Sequence, residues 1–74
     1  MIRVYLVFRS THETLKAEAT LQGAGLPCRV VQKPRAIPVE CGLALRTGSE
    51  HREAALVTLR TARLEPRGIY DLDP

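Results

Sequence analysis

Ile2-Arg3-Val4-Tyr5-Leu6-Val7-Phe8-Arg9, followed at once by Ser10-Thr11-His12-Glu13, is the stretch that decides the fold. Its first eight residues alternate. Ile2, Val4, Leu6 and Phe8 point one way, and Arg3, Tyr5, Val7 and Arg9 point the other. A period of two in β-branched and aromatic residues marks a strand with one buried face. The next four residues have the S-x-x-E form of a capping box, with Ser10 as N-cap and Glu13 reaching back. The chain therefore passes from strand to helix with almost no connection.

Working outward, Thr14, Ala17, Leu21 and Ala24 recur on one face of that helix, with Leu15 on its flank. Gly25 and Pro27 stop it near Ala24. Cys28 to Gln32 reads as a second strand, and Lys33 to Glu40 as a loop stiffened by Pro34 and Pro38. Cys41 to Arg46 reads as a third strand, with Cys41, Leu43 and Leu45 alternating against Gly42, Ala44 and Arg46, and Thr47-Gly48 as a turn. Ser49 is the N-cap expected for a second helix, whose stripe is Ala55, Leu56, Leu59 and Ala62. Arg60 and Arg63 sit in its last turns, where the helix dipole favours cations. Glu65-Pro66-Arg67 leads to a last strand, Gly68 to Leu72.

The order is βαββαβ. Two right-handed βαβ crossovers around a central hairpin predict an α+β, ferredoxin-like two-layer sandwich. It has four antiparallel strands, with both helices on the Val4/Leu6 face. The opposite face, carrying Arg3, Tyr5 and Arg9, is expected to be open and available for a second copy or a ligand. At 74 residues the chain is read as a single domain, residues 1–74, with a thin aliphatic core. Only Tyr5, Phe8 and Tyr70 are aromatic.

No stretch reads as a signal peptide or as the roughly 20 apolar residues of a membrane span. Two cysteines without a secretion signal fit a reducing cytoplasm. The net charge of +3 is unevenly placed. Residues 29–46 hold Arg29, Lys33, Arg35 and Arg46 against Glu40 alone, while basic and acidic residues cancel elsewhere. Nine of the eleven basic residues are arginine, the side chain suited to bidentate contact with oxyanions.

Cys41-Gly42 is the candidate for chemistry. A thiol near Lys33, Arg35 and Arg46 ionises more easily, and the thiolate is the nucleophile. Gly42 lets a partner approach the backbone. The same alternation with Leu43 and Leu45 equally describes a buried, inert cysteine, and the residues leave both readings open. In the expected hairpin Gln32 faces Cys41 and Cys28 faces Leu45. The two thiols then lie roughly 13 Å apart at ~3.3 Å per residue, beyond the ~7 Å reach of a disulfide. Strands one and three are expected to run parallel, which puts the helix starts at His12 and His51 at one end of the sheet and makes a Cys41–His12–His51 metal site conceivable. Their spacings fit no zinc pattern, so neither a metal nor a cofactor is expected. Glu18 and Arg52 are candidates to pair. No P-loop, G-x-S-x-G or dinucleotide fingerprint is present. Base stacking on the sheet would have only Tyr5 to use, so nucleic acid is not an expected ligand.

Several stretches resemble a family of very small bacterial proteins, a domain-of-unknown-function family described as selenium/sulfur (Se/S) carrier-like. They are Ser10-Thr11-His12-Glu13-Thr14-Leu15-Lys16-Ala17-Glu18, Gly25-Leu26-Pro27, Pro34-Arg35-Ala36-Ile37, Cys41-Gly42-Leu43-Ala44-Leu45-Arg46 and Gly68-Ile69-Tyr70. The resemblance covers nearly the whole chain. It implies a carrier protein rather than a turnover enzyme, with Cys41 as the thiol that holds a persulfide or selenide. Lys33, Pro34, Arg35, Gly42 and Arg46 are expected as its binding surroundings, and donor and acceptor proteins of sulfur or selenium transfer as its partners. Pro38-Val39-Glu40 stands where the family has a longer, serine-rich stretch, so no hydroxyl is expected to assist. The alternative is a binding module, possible as a homodimer, whose basic loop docks an acidic partner or small anion.

Overall fold

The computed structural model describes residues 1–39 and 42–73. Glu40, Cys41 and Pro74 lie outside the described residues, and with them the expected start of the third strand at Cys41. The elements run in the order β1 (Arg3–Val7), α1 (Thr11–Gly23), β2 (Arg29–Gln32), β3 (Leu43–Gly48), a 3₁₀ turn (Ser49–His51), α2 (Arg52–Thr61) and β4 (Gly68–Leu72). The sheet order is β2-β3-β1-β4, with each neighbouring pair antiparallel. This is the expected α+β two-layer arrangement.

Each helix end has a local cause. The Ser10 hydroxyl oxygen accepts a hydrogen bond from the Glu13 N–H at 3.2 Å. Glu13 returns no bond to Ser10, so the capping box is half formed. Beyond α1, Gly25 takes a φ of +81°, and the Gly25 and Leu26 amides donate to the carbonyls of Gln22 and Leu21. This is the Schellman arrangement, closed by apolar contact of Leu26 with the Leu21 cluster. The end of α2 repeats it. Arg63 and Leu64 donate to Arg60 and Leu59, but the left-handed position, φ +60°, is held by Arg63 rather than glycine. Ser49 does not cap α2. It begins the 3₁₀ turn, and no side chain caps the helix that follows.

One core lies between sheet and helices. Val4, Leu6, Phe8 and Leu45 pack there against Ala17, Leu21, Ala55, Leu59 and Leu64. Of the expected α1 stripe, Ala24 is exposed, because it has become the C-cap. On α2, Ala62 is exposed for the same reason. The two buried polar residues among those described, Thr14 and Thr47, are satisfied. Their hydroxyls donate to the carbonyls of Ser10 at 3.0 Å and Pro27 at 2.8 Å.

The opposite sheet face corrects the expectation of an open surface. Tyr5, Val7 and Ala44 form a second core there, and Ile37 of the loop is fully buried in it. Val31, Val39, Tyr70 and Leu72 pack around them. The proline-bracketed loop therefore folds over the sheet. Val7 and Ala44 offer apolar surface that water would otherwise meet, and Ile37 covers it.

The hairpin register differs from the expected one. Gln32 pairs with Leu43 and Val30 with Leu45, so Leu45 faces Val30 rather than Cys28. Thr47 and Gly48 are the end of β3, not a turn, and pair with Val4 and Arg3. The shift from the expected register is two residues. Because side chains alternate with a period of two, an even shift leaves the facing pattern intact. β1 and β3 run antiparallel, not parallel. The starts of α1 and α2, and with them His12 and His51, therefore lie at opposite ends of the sheet.

Two stability measurements follow. Ile37→Ala should lower the unfolding free energy by about 2–5 kcal/mol in urea titration, the range of a core truncation. Arg63→Gly should raise it by up to about 1 kcal/mol, because glycine enters the left-handed region without a Cβ penalty.

Candidate functional site

The loop between β2 and β3 is built by internal hydrogen bonds. The Lys33 amide donates to the Gly42 carbonyl at 2.8 Å and closes the hairpin neck. The Ile37 amide donates to the Pro34 carbonyl at 3.1 Å, making a turn across Arg35 and Ala36. The Val39 amide donates to the Ile37 carbonyl at 3.0 Å, a three-residue turn centred on Pro38, whose ring already restricts φ. The Lys33 ammonium lies inside this turn set and donates to the carbonyls of Ile37 at 2.7 Å and Pro34 at 3.5 Å.

The expected binding residues thus occupy distinct settings. Lys33 is half-buried and braces the loop from within. Pro34 supplies a turn carbonyl. Arg35 is exposed at the turn. Gly42 is exposed, with open space where a side chain would project. Arg46 is two strand positions beyond Ala44, on the face that carries Ile37, but along the ladder from the loop. The basic surface of residues 29–46 is therefore split. The loop keeps Arg35 as its exposed cation, whereas Arg29 and Arg46 stand opposite each other on the sheet.

Cys41 lies outside the described residues, so the thiol environment that the structure displays is that of Cys28. It precedes β2 and is clamped by α1. Its carbonyl accepts from the Gln22 side-chain amide at 3.2 Å, and its thiol lies 3.8 Å from the Glu18 carbonyl oxygen. The Glu18 carboxylate accepts the Val30 N–H at 3.0 Å, covering a donor on the sheet edge. Partial burial, and secondarily the negative Glu18, push the Cys28 pKa upward. Both effects disfavour the thiolate. Sequence reasoning gave Cys28 no role; the Glu18 contact explains its environment. Glu18 is engaged there and not with Arg52, which instead pairs with Asp71 at 3.1 Å and links α2 to β4.

Two further possibilities are decided by burial and placement. Tyr5 is only 7% exposed, so its ring offers no platform for a stacked base. Among the described residues, no group of three His, Cys, Asp or Glu side chains could hold a metal ion, and the two helix-start histidines are at opposite ends. No helix of the described residues is long and apolar enough to cross a membrane.

The raised Cys28 pKa has a signed consequence. Folding favours the protonated thiol, so its contribution is present below the unfolded-state pKa and is lost as pH rises through the higher folded-state value. In urea titrations from about pH 8 to about pH 10.5, the wild-type chain should lose more stability than Cys28→Ala. Equal losses would remove Cys28 from the alkaline response.

No curated protein and no solved structure is detectably similar to the chain. One family does match, over residues 3–71, which takes in β1 to β3, both helices and all of β4 but Leu72. With nearly the whole fold inside the match, the chain belongs to the family described as "Putative Se/S carrier protein-like".

Proposed function

We propose that this protein is a sulfur or selenium carrier that holds the transferred atom on Cys41. The family membership over residues 3–71 carries the reading. The state of the other thiol supports the choice of cysteine: Cys28 is clamped against α1 beside a carboxylate, with its pKa raised. A carrier needs a thiolate that partners can reach. Next to Cys41 in the chain, Gly42 is exposed and leaves open space on its Cα. Arg35 supplies an exposed cation on the same loop.

In the transfer step the Cys41 thiolate attacks the outer sulfur of a donor persulfide. The donor S–S bond breaks, and the donor leaves as a thiolate. The new S–S bond leaves Cys41 as a persulfide. An acceptor thiolate then attacks that outer sulfur and releases the Cys41 thiolate. Each step exchanges one S–S bond for another, so no external oxidant or reductant is consumed. Selenium in place of the outer sulfur follows the same balance. Residues 1–74 act in this reading as one carrier domain of the cytoplasm, between a donor and an acceptor protein.

The test is loading by a low-molecular-weight persulfide, read as the mass gain of one sulfur atom on the intact protein. Cys28→Ala should load like the wild type, and Cys41→Ala should not load. Alkylation rates in the Cys28→Ala background should report a Cys41 pKa below the ordinary value of about 8.5. Equal loading of the two variants would sink the assignment.

A further inference from the structure

The row of residues across the middle of the sheet, on the face away from the helices, reads Arg29, Arg46, Tyr5 and Tyr70. Arg29 and Arg46 are directly opposite on neighbouring strands. Arg3 pairs with Gly48, two residues beyond Arg46 on the same face, and so stands diagonal to it. Directly opposite side chains begin about 5 Å apart at Cβ, and diagonal ones about 7–8 Å. Three guanidinium groups are thus gathered on one patch. They line an open hollow of about 380 Å³ with Pro27, Gly48 and Glu50.

Among the described residues, no carboxylate forms an ion pair with this cluster. Among the described residues, the ion pairs are Met1 amino group to Asp73, Arg52 to Glu53 and Arg52 to Asp71, and none involves Arg3, Arg29 or Arg46. Like charges directly opposite on a sheet repel. Ile37 and the loop cover the Tyr5 part of this row, whereas Arg3 and Arg46 remain partly exposed, with Arg29 exposed. Gly48 contributes floor without a side chain, and the Glu50 carboxylate lies over the place where its Cβ would be. Glu50 is therefore the one carboxylate that lines the hollow.

We propose that this hollow binds a tetrahedral, multiply charged oxyanion of the phosphate or sulfate class, held by Arg3, Arg29 and Arg46. Guanidinium forks fit such oxygens bidentately, and a dianion relieves the Arg29–Arg46 repulsion. Glu50, whose carboxylate lies over Gly48, opposes the bound charge. The binding is separate from the thiol chemistry of Cys41.

The experiment is an NMR titration of the ¹⁵N-labelled full chain with inorganic phosphate and with sulfate at constant ionic strength, with chloride as control. Phosphate and sulfate should give saturable shifts centred on residues 3, 29 and 46–48, and chloride should not. Arg46→Gln and Arg29→Gln should each weaken binding by about tenfold or more, the effect of losing a charge-assisted hydrogen bond. Glu50→Gln should tighten it. Arg29 is exposed on an edge strand, so its variant keeps the test informative if Arg46→Gln unfolds. Cys41→Ala should bind as the wild type does, which separates this outcome from that of persulfide loading. The proposal is overturned by non-saturating shifts, or by unchanged affinity in both arginine variants. Tighter binding of a glutamate-rich peptide than of phosphate at these residues would also overturn it, making the patch a protein-docking face.

Discussion

Burial of Ile37 against Tyr5, Val7 and Ala44 is the contact on which the rest of the molecule's arrangement turns. A four-stranded sheet with helices on one side leaves its other side to water. Here the central strand is apolar on both faces: Val4 and Leu6 point to the helices, and Tyr5 and Val7 away from them. Both helices of the described residues pack on the first face. The loop between β2 and β3 covers the second face instead. Its reach is set by the hairpin neck at Lys33 and Gly42, and its shape by the turns at Pro34 and Pro38.

That choice fixes the electrostatics around the loop. Folding the loop down draws Lys33 inward, where its ammonium satisfies two turn carbonyls. A cation that the chain order suggests for ligand contact thereby becomes part of the scaffold. Arg35 stays outside. The charge of residues 29–46 consequently presents itself in two places, one beside the segment that leads to Cys41 and one on the sheet between Arg29 and Arg46. The carrier chemistry proposed for Cys41 draws on the first, and the oxyanion hollow is built from the second.

Cys28 is held in a setting unsuited to the carrier role proposed for Cys41. Cys28 is tied to α1 by its carbonyl and its thiol, beside Glu18. The carboxylate that covers the β2 edge at Val30 also discourages ionisation of this thiol. One side chain thus protects a sheet edge and quiets a nucleophile. A protein whose work is proposed to rest on one reactive cysteine gains selectivity when the other is held protonated.

The sequence by itself determined the element order, most of the helix-facing core and the two ends of α1. These follow from interactions between near neighbours: the alternation of Val4, Leu6 and Phe8, the Ser10 cap, and glycine at Gly25. The family resemblance was also legible, in linear stretches such as Pro34-Arg35 and Gly68-Ile69-Tyr70, and the match over residues 3–71 agrees with it. Tertiary structure alone decided the two-residue register of β2 on β3, since an even shift leaves the alternation of faces unchanged. It also decided that Lys33 braces the loop, that Glu18 serves Val30 and Cys28 rather than Arg52, and that Arg3 joins Arg29 and Arg46. Such contacts join residues far apart in the chain, and no local pattern encodes which of several compatible partners a side chain will meet.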